Sequence, residues 1–95
     1  MNPQLHPSGN RIACYDNKAG LFRYVVVYLD HPEGRDRPKD CEAVVMSERP
    51  PEARGFGKRC MVEDSPSLGE PILFADLPAD CQKLVNRDLN PAPTT

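Results

Sequence analysis

Residues Leu21 to Asp30 read Leu-Phe-Arg-Tyr-Val-Val-Val-Tyr-Leu-Asp, a run of β-branched and aromatic side chains that favours a pleated strand. Alternation sets Leu21, Arg23, Val25, Val27 and Leu29 on one face and Phe22, Tyr24, Val26, Tyr28 and Asp30 on the other. Both faces are largely apolar, so the strand needs cover on both sides and belongs in the middle of a sheet. A chain of 95 residues has room for one domain. A domain of this size buries only about 60–65% of its unfolded surface. The cover must therefore come from a few nearby elements.

The C-terminal third supplies one of them. Leu77, Cys81, Leu84, Val85 and Leu89 form a single stripe at helical spacing, and Asp80, Lys83, Asn86, Arg87 and Asp88 take the opposite face. Pro78 suits the first helical turn, where its missing N–H is no loss. Asp76 stands within reach of the free N–H groups there, and Asn90-Pro91 is a stop signal. Shorter apolar runs at Arg11–Tyr15, Cys41–Ser47 and Lys58–Val62 read as further strands. Ile72-Leu73-Phe74 reads as a fourth short strand or an extended lead-in to the helix. The expected fold is α+β: a small antiparallel sheet of three to four strands with one C-terminal amphipathic helix packed on it.

Proline punctuates the connections. Eleven of 95 residues are proline, more than twice the usual share of about 5%. The charged stretch from His31 to Asp40 and the stretch from Glu48 to Gly57 read as loops, and Pro50-Pro51 forbids a regular ladder in the second. Residues 1–10 are expected to be a flexible N-terminal arm, 11–90 a single α+β domain, and 91–95 a tail.

The four cysteines, Cys14, Cys41, Cys60 and Cys81, sit among apolar neighbours, where cysteine behaves as a small hydrophobe. Free core thiols are the preferred reading over disulfides or a metal site. There is no C-x-x-C pair, and neither His6 nor His31 has a second histidine at helical spacing. No nucleophile motif accompanies His31, so no catalytic residue, metal or cofactor is expected. The formal net charge of −2 weighs against general nucleic-acid binding. Met1 to Pro7 is polar and proline-broken, unlike a signal peptide, and the longest apolar run is far short of a membrane span. A cytoplasmic location follows as the expectation.

Arg54-Gly55-Phe56-Gly57-Lys58-Arg59 is the stretch with most to offer a partner: relaxed backbone, an aromatic ring and positive charge. The cations in and near it, Arg49, Arg54, Lys58 and Arg59, are balanced by Glu48, Glu52, Glu63 and Asp64. The candidate partner-binding residues are therefore Arg49, Arg54, Phe56, Lys58 and Arg59. Tyr24 and Tyr28 join them if their face of the sheet is uncovered.

The second half carries a pattern: Met46-Ser47, Pro50 or Pro51, Arg54-Gly55-Phe56-Gly57, Leu68-Gly69, Ile72, Phe74, Asp76-Leu77-Pro78 and Cys81-Gln82. Over Val44 to Leu89 it resembles small uncharacterised proteins of proteobacteria and their phages and mobile elements. The resemblance implies a sheet-then-helix fold and carries no active site. The expected function is a small non-enzymatic protein-interaction or accessory domain, such as a mobile-element modulator of a host protein. The alternative is a nucleic-acid-associated protein using the Arg49–Arg59 loop. The expected partner is another protein, with no membrane role, and homodimerisation stays open.

Overall fold

The computed structural model describes residues 2–18, 22–32, 40–47 and 57–89. Among them, six strands form one antiparallel sheet: β1 (Gln4–Leu5), β2 (Arg11–Asp16), β3 (Tyr24–Pro32), β4 (Asp40–Met46), β5 (Gly57–Glu63) and β6 (Glu70–Pro71). The main path runs β1-β2-β3-β4-β5, and β6 pairs with β2. One α-helix among the described residues, α1 (Ala79–Leu89), follows. The α+β class and the C-terminal helix are as the sequence predicts. The strand count is not three to four, because two dipeptide strands complete the sheet.

The expected alternation sorts the core into two layers. Tyr24, Val26 and Tyr28 of β3 join Ile12, Cys14, Val44 and Met46 on one face, and the α1 side contributes Leu77, Cys81, Val85 and Leu89. Ala13, Tyr15, Val25, Val27, Cys41 and Ala43 form the core of the other face. Val26, Val27, Cys81 and Val85 are fully buried. At about 1.5–3 kcal/mol for each large apolar side chain removed from water, this double layer supplies the main drive to fold. Leu84, on the margin of the stripe, is only half-buried.

Three boundaries differ from the sequence reading. β3 starts at Tyr24, leaving Phe22 and Arg23 outside it (Leu21 lies outside the described residues), and runs on through His31 and Pro32, with an irregularity between Val27 and Pro32 before Pro32 meets Cys41. Pro32 ends the strand, just past that irregularity, where a proline costs the ladder least. Residues 74–76 form a single 3-10 turn, and the Asp76 carboxylate accepts from the Leu73 N–H within it at 3.1 Å rather than capping α1. Pro78 lies just ahead of the helix, and its carbonyl accepts from Gln82 N–H at 3.0 Å.

Residues 2–10, expected as a flexible arm, are attached to the sheet. Because β3 takes one edge of β2, β1 and β6 must share the other, β1 at Arg11–Ile12 and β6 at Tyr15–Asp16. The Asn2 side chain fills the gap between them: Oδ1 accepts from Cys14 N–H at 3.0 Å and Nδ2 donates to Cys14 C=O at 2.9 Å. Gln4 does the same for the connection after β6, donating to Ile72 C=O at 2.6 Å and accepting from Phe74 N–H at 2.8 Å. His6, buried against the edge of Phe74, accepts from Ser8 N–H at Nδ1 and meets Asn86 Oδ1 at Nε2, 2.7 Å away. The expected tail at 91–95, the loop segment 33–39 and the Pro50-Pro51 pair lie outside the described residues.

Candidate interaction surface

The sequence candidates separate in the structure. Arg49, Arg54 and Phe56 lie outside the described residues. Lys58 and Arg59 sit in β5, opposite Val45 and Val44 of β4. Tyr24 and Tyr28 are not on an open face: both are buried beneath α1, at 7% and 1% exposure. Alternation shows that they share a face, but it does not show which face the helix takes.

Arg59 projects on the helix side, where its guanidinium reaches Asp88 Oδ1 at 2.8 Å and lies 4.0 Å from Glu42 Oε2. Asp88 also accepts from Tyr28 Oη–H at 2.8 Å. Glu42 in turn lies 3.2 Å from His31 Nδ1, and Asn10 Oδ1 lies 3.3 Å from His31 Nε2. A half-exposed polar chain therefore runs from α1 across β5, β4 and β3. Its one guanidinium faces two carboxylates, an arrangement that fits a structural clasp better than a phosphate cradle. Burial pushes the Tyr28 phenol well above its ordinary range, and the Asp88 carboxylate adds to the shift.

A shallow cavity of about 280 Å³ lies on the far side, lined by Asn2, Tyr15, Pro66 and Pro71. Tyr15 donates its phenolic O–H to Asp64 beside it. The Asn2 amide is already engaged by Cys14 and Gln4, so the walls offer little polar specificity. None of the four cysteines is in a disulfide, and three of them are buried. Among the described residues no group of three or more His, Cys, Asp and Glu side chains is arranged to hold a metal, and no helix is long and apolar enough to cross a membrane.

The two sheet edges contrast sharply. On the β2 side the edge is taken up by two-residue strands, one following Pro3 and the other ending in Pro71, with the Asn2 amide between them. Short strands and proline are the usual means of protecting an edge. On the β5 side the edge is seven residues long, unbroken in register with β4 from Gly57 to Glu63, and without proline. No described residue pairs with its outer side. Met61, at 44% exposure, stands one residue past its midpoint, with Arg59 and Glu63 exposed on either side. Sequence reading took 58–62 as a strand but had no means of placing it last in the sheet.

Compared with protein-family models, with curated proteins and with solved structures, the chain matches none.

Proposed function

We propose that this chain is a non-enzymatic protein-interaction domain that binds its partner by strand addition along β5. The supporting observation is the contrast between the edges: one is closed by dipeptide strands and a side-chain amide, the other is a seven-residue, bulge-free strand with an exposed methionine one residue past its midpoint. An added strand gains affinity from main-chain hydrogen bonds and specificity from alternate side chains. The strand beside it, β4, is anchored in both core layers, through Val44 and Met46 on one face and Cys41 and Ala43 on the other. The domain acts in the cytoplasm, and the resemblance of its second half to small proteins of mobile elements favours a role as modulator of a host protein.

Amide hydrogen exchange tests the reading. Extended peptides selected by display against the folded chain should slow exchange within Gly57–Glu63 and leave residues 2–16 unchanged. Binders that protect the β2 side or α1 while β5 continues to exchange would overturn it.

A further inference from the structure

We propose that the partner along β5 is a second copy of this chain, added antiparallel about a two-fold axis through Met61. The inference rests on β5 being an interaction edge and names what fills it.

A homodimer of this kind is isologous: the same edge serves both copies. A two-fold axis normal to the sheet keeps each face on the same side in both copies, so opposing residues must share a face. Their numbers then differ by an even number, and the axis passes through a residue rather than between two. Near the middle of β5 the choices are Cys60 and Met61. An axis at Cys60 sets Arg59 against Met61, Lys58 against Val62 and Gly57 against Glu63, leaving every charge without a counter-charge.

An axis at Met61 gives a different result. Arg59 falls opposite Glu63, Lys58 opposite Asp64, Cys60 opposite Val62, and Met61 opposite itself. Each charge meets its opposite and each apolar residue meets another. The axis repeats both ion pairs, so four opposite-charge contacts flank an apolar centre. The faces agree with the monomer. Arg59 lies on the α1 side with Asp88, whereas Cys60 and Val62 pack with the other layer. Asp64, one residue past β5, holds Tyr15 of that same layer.

Charges on an edge strand commonly oppose pairing. Here their order does the reverse, since the basic half precedes the methionine and the acidic half follows it. Opposite charges directly across a ladder stabilise it, and like charges destabilise it.

Sedimentation equilibrium from about 1 μM to about 1 mM tests the proposal, with amide exchange read at both ends of the range. The wild type should form a discrete dimer and gain protection within Gly57–Glu63 as concentration rises. Met61→Lys sets two cations at the axis and Glu63→Arg sets Arg59 against a cation. Each should weaken the dimer at least about tenfold, because the axis counts each change twice. Both positions are exposed, so neither variant depends on the Arg59–Asp88 contact for its fold. A wild type monomeric at about 1 mM, or a dimer insensitive to both Met61→Lys and Glu63→Arg, overturns the proposal. If display-selected peptides still protect β5 in that case, strand addition stands and only the second copy is excluded. If nothing protects β5, both readings fall.

Discussion

Tyr28 and Asp88, 60 residues apart in sequence, are joined by a 2.8 Å hydrogen bond from the phenol to the carboxylate. The bond ties the central strand to the last turn of α1, and Arg59 from the edge strand meets the other carboxylate oxygen. One carboxylate therefore connects three elements. Tyr28→Phe removes the bond while keeping the packing, and should cost about 1–2 kcal/mol. Asp88→Ala should cost more, because it leaves a phenol at 1% exposure without its acceptor. Urea melts at fixed protein concentration give both values. Equal losses would mean that Tyr28 finds another acceptor.

Gly69 should tolerate no side chain. It follows a 3-10 turn with φ at 140°, a conformation that L side chains rarely adopt. A Cβ built there would lie 2.8 Å from the Asp16 carbonyl oxygen and 2.9 Å from the Asn17 nitrogen, both backbone atoms that cannot swing aside. Gly69→Ala should therefore cost at least about 2 kcal/mol by the same melts. It should also free the Glu70–Pro71 pairing with β2, visible as faster exchange at Asp16. An alanine variant as stable as the wild type would show that the turn takes another path.

The central strand and the helix are legible in the sequence because each repeats with a period that only one structure satisfies. Tyr24 and Tyr28 mark the limit of that argument: periodicity groups residues on a face but leaves open which face another element covers. The dipeptide strands were illegible for a different reason. Gln4–Leu5 and Glu70–Pro71 are held largely by the Asn2 and Gln4 amides acting on Cys14, Ile72 and Phe74, contacts with no periodicity. The clasp at Arg59 likewise needs Asp88, 29 residues away, to be brought beside it. The charge order of residues 58–64 was present in the sequence, but it acquires meaning only once β5 is known to be an edge.

Gln4 tests whether the N-terminal segment is part of the domain. Its amide donates to Ile72 C=O and to Asn2 Oδ1, and accepts from Phe74 N–H. Gln4→Ala should cost about 1–3 kcal/mol, since it leaves two partly buried backbone groups unpaired. Gln4→Glu discriminates further. A carboxylate can still accept from Phe74 N–H, but it would face the Ile72 carbonyl with like partial charge. It should thus be destabilising at neutral pH and recover partly in acid, as protonation restores a donor. Denaturation of the two variants at pH values of about 7 and 4 decides the matter. If neither differs from the wild type, the segment is only resting on the sheet.

Stability should fall at high pH before any surface group explains it. Burial raises the Cys14 thiol from 9.0 to about 12 and, with some help from Asp80, the Cys81 thiol from 9.0 to about 11. Burial, reinforced by the Asp64 hydrogen bond, also raises Tyr15 from 10.0 to about 12. Each group holds its proton more tightly when folded, so above pH 9 the unfolded chain binds fewer protons than the native one. The contribution is whole below 9 and is lost as pH climbs through the folded values, by up to about 1.4 kcal/mol per pH unit for each group. Asp16 behaves in the opposite sense. The Arg23 hydrogen bond lowers its carboxyl below 3.8, so its contribution is present above that value and is lost as pH falls. Urea midpoints measured from about pH 3 to about pH 11 should therefore trace a plateau that declines at both ends. Ellman's reagent at about pH 8 should react slowly with Cys14 and Cys81 until the chain unfolds. A flat alkaline limb together with fast reaction at both thiols would mean that the layer between α1 and the sheet admits water.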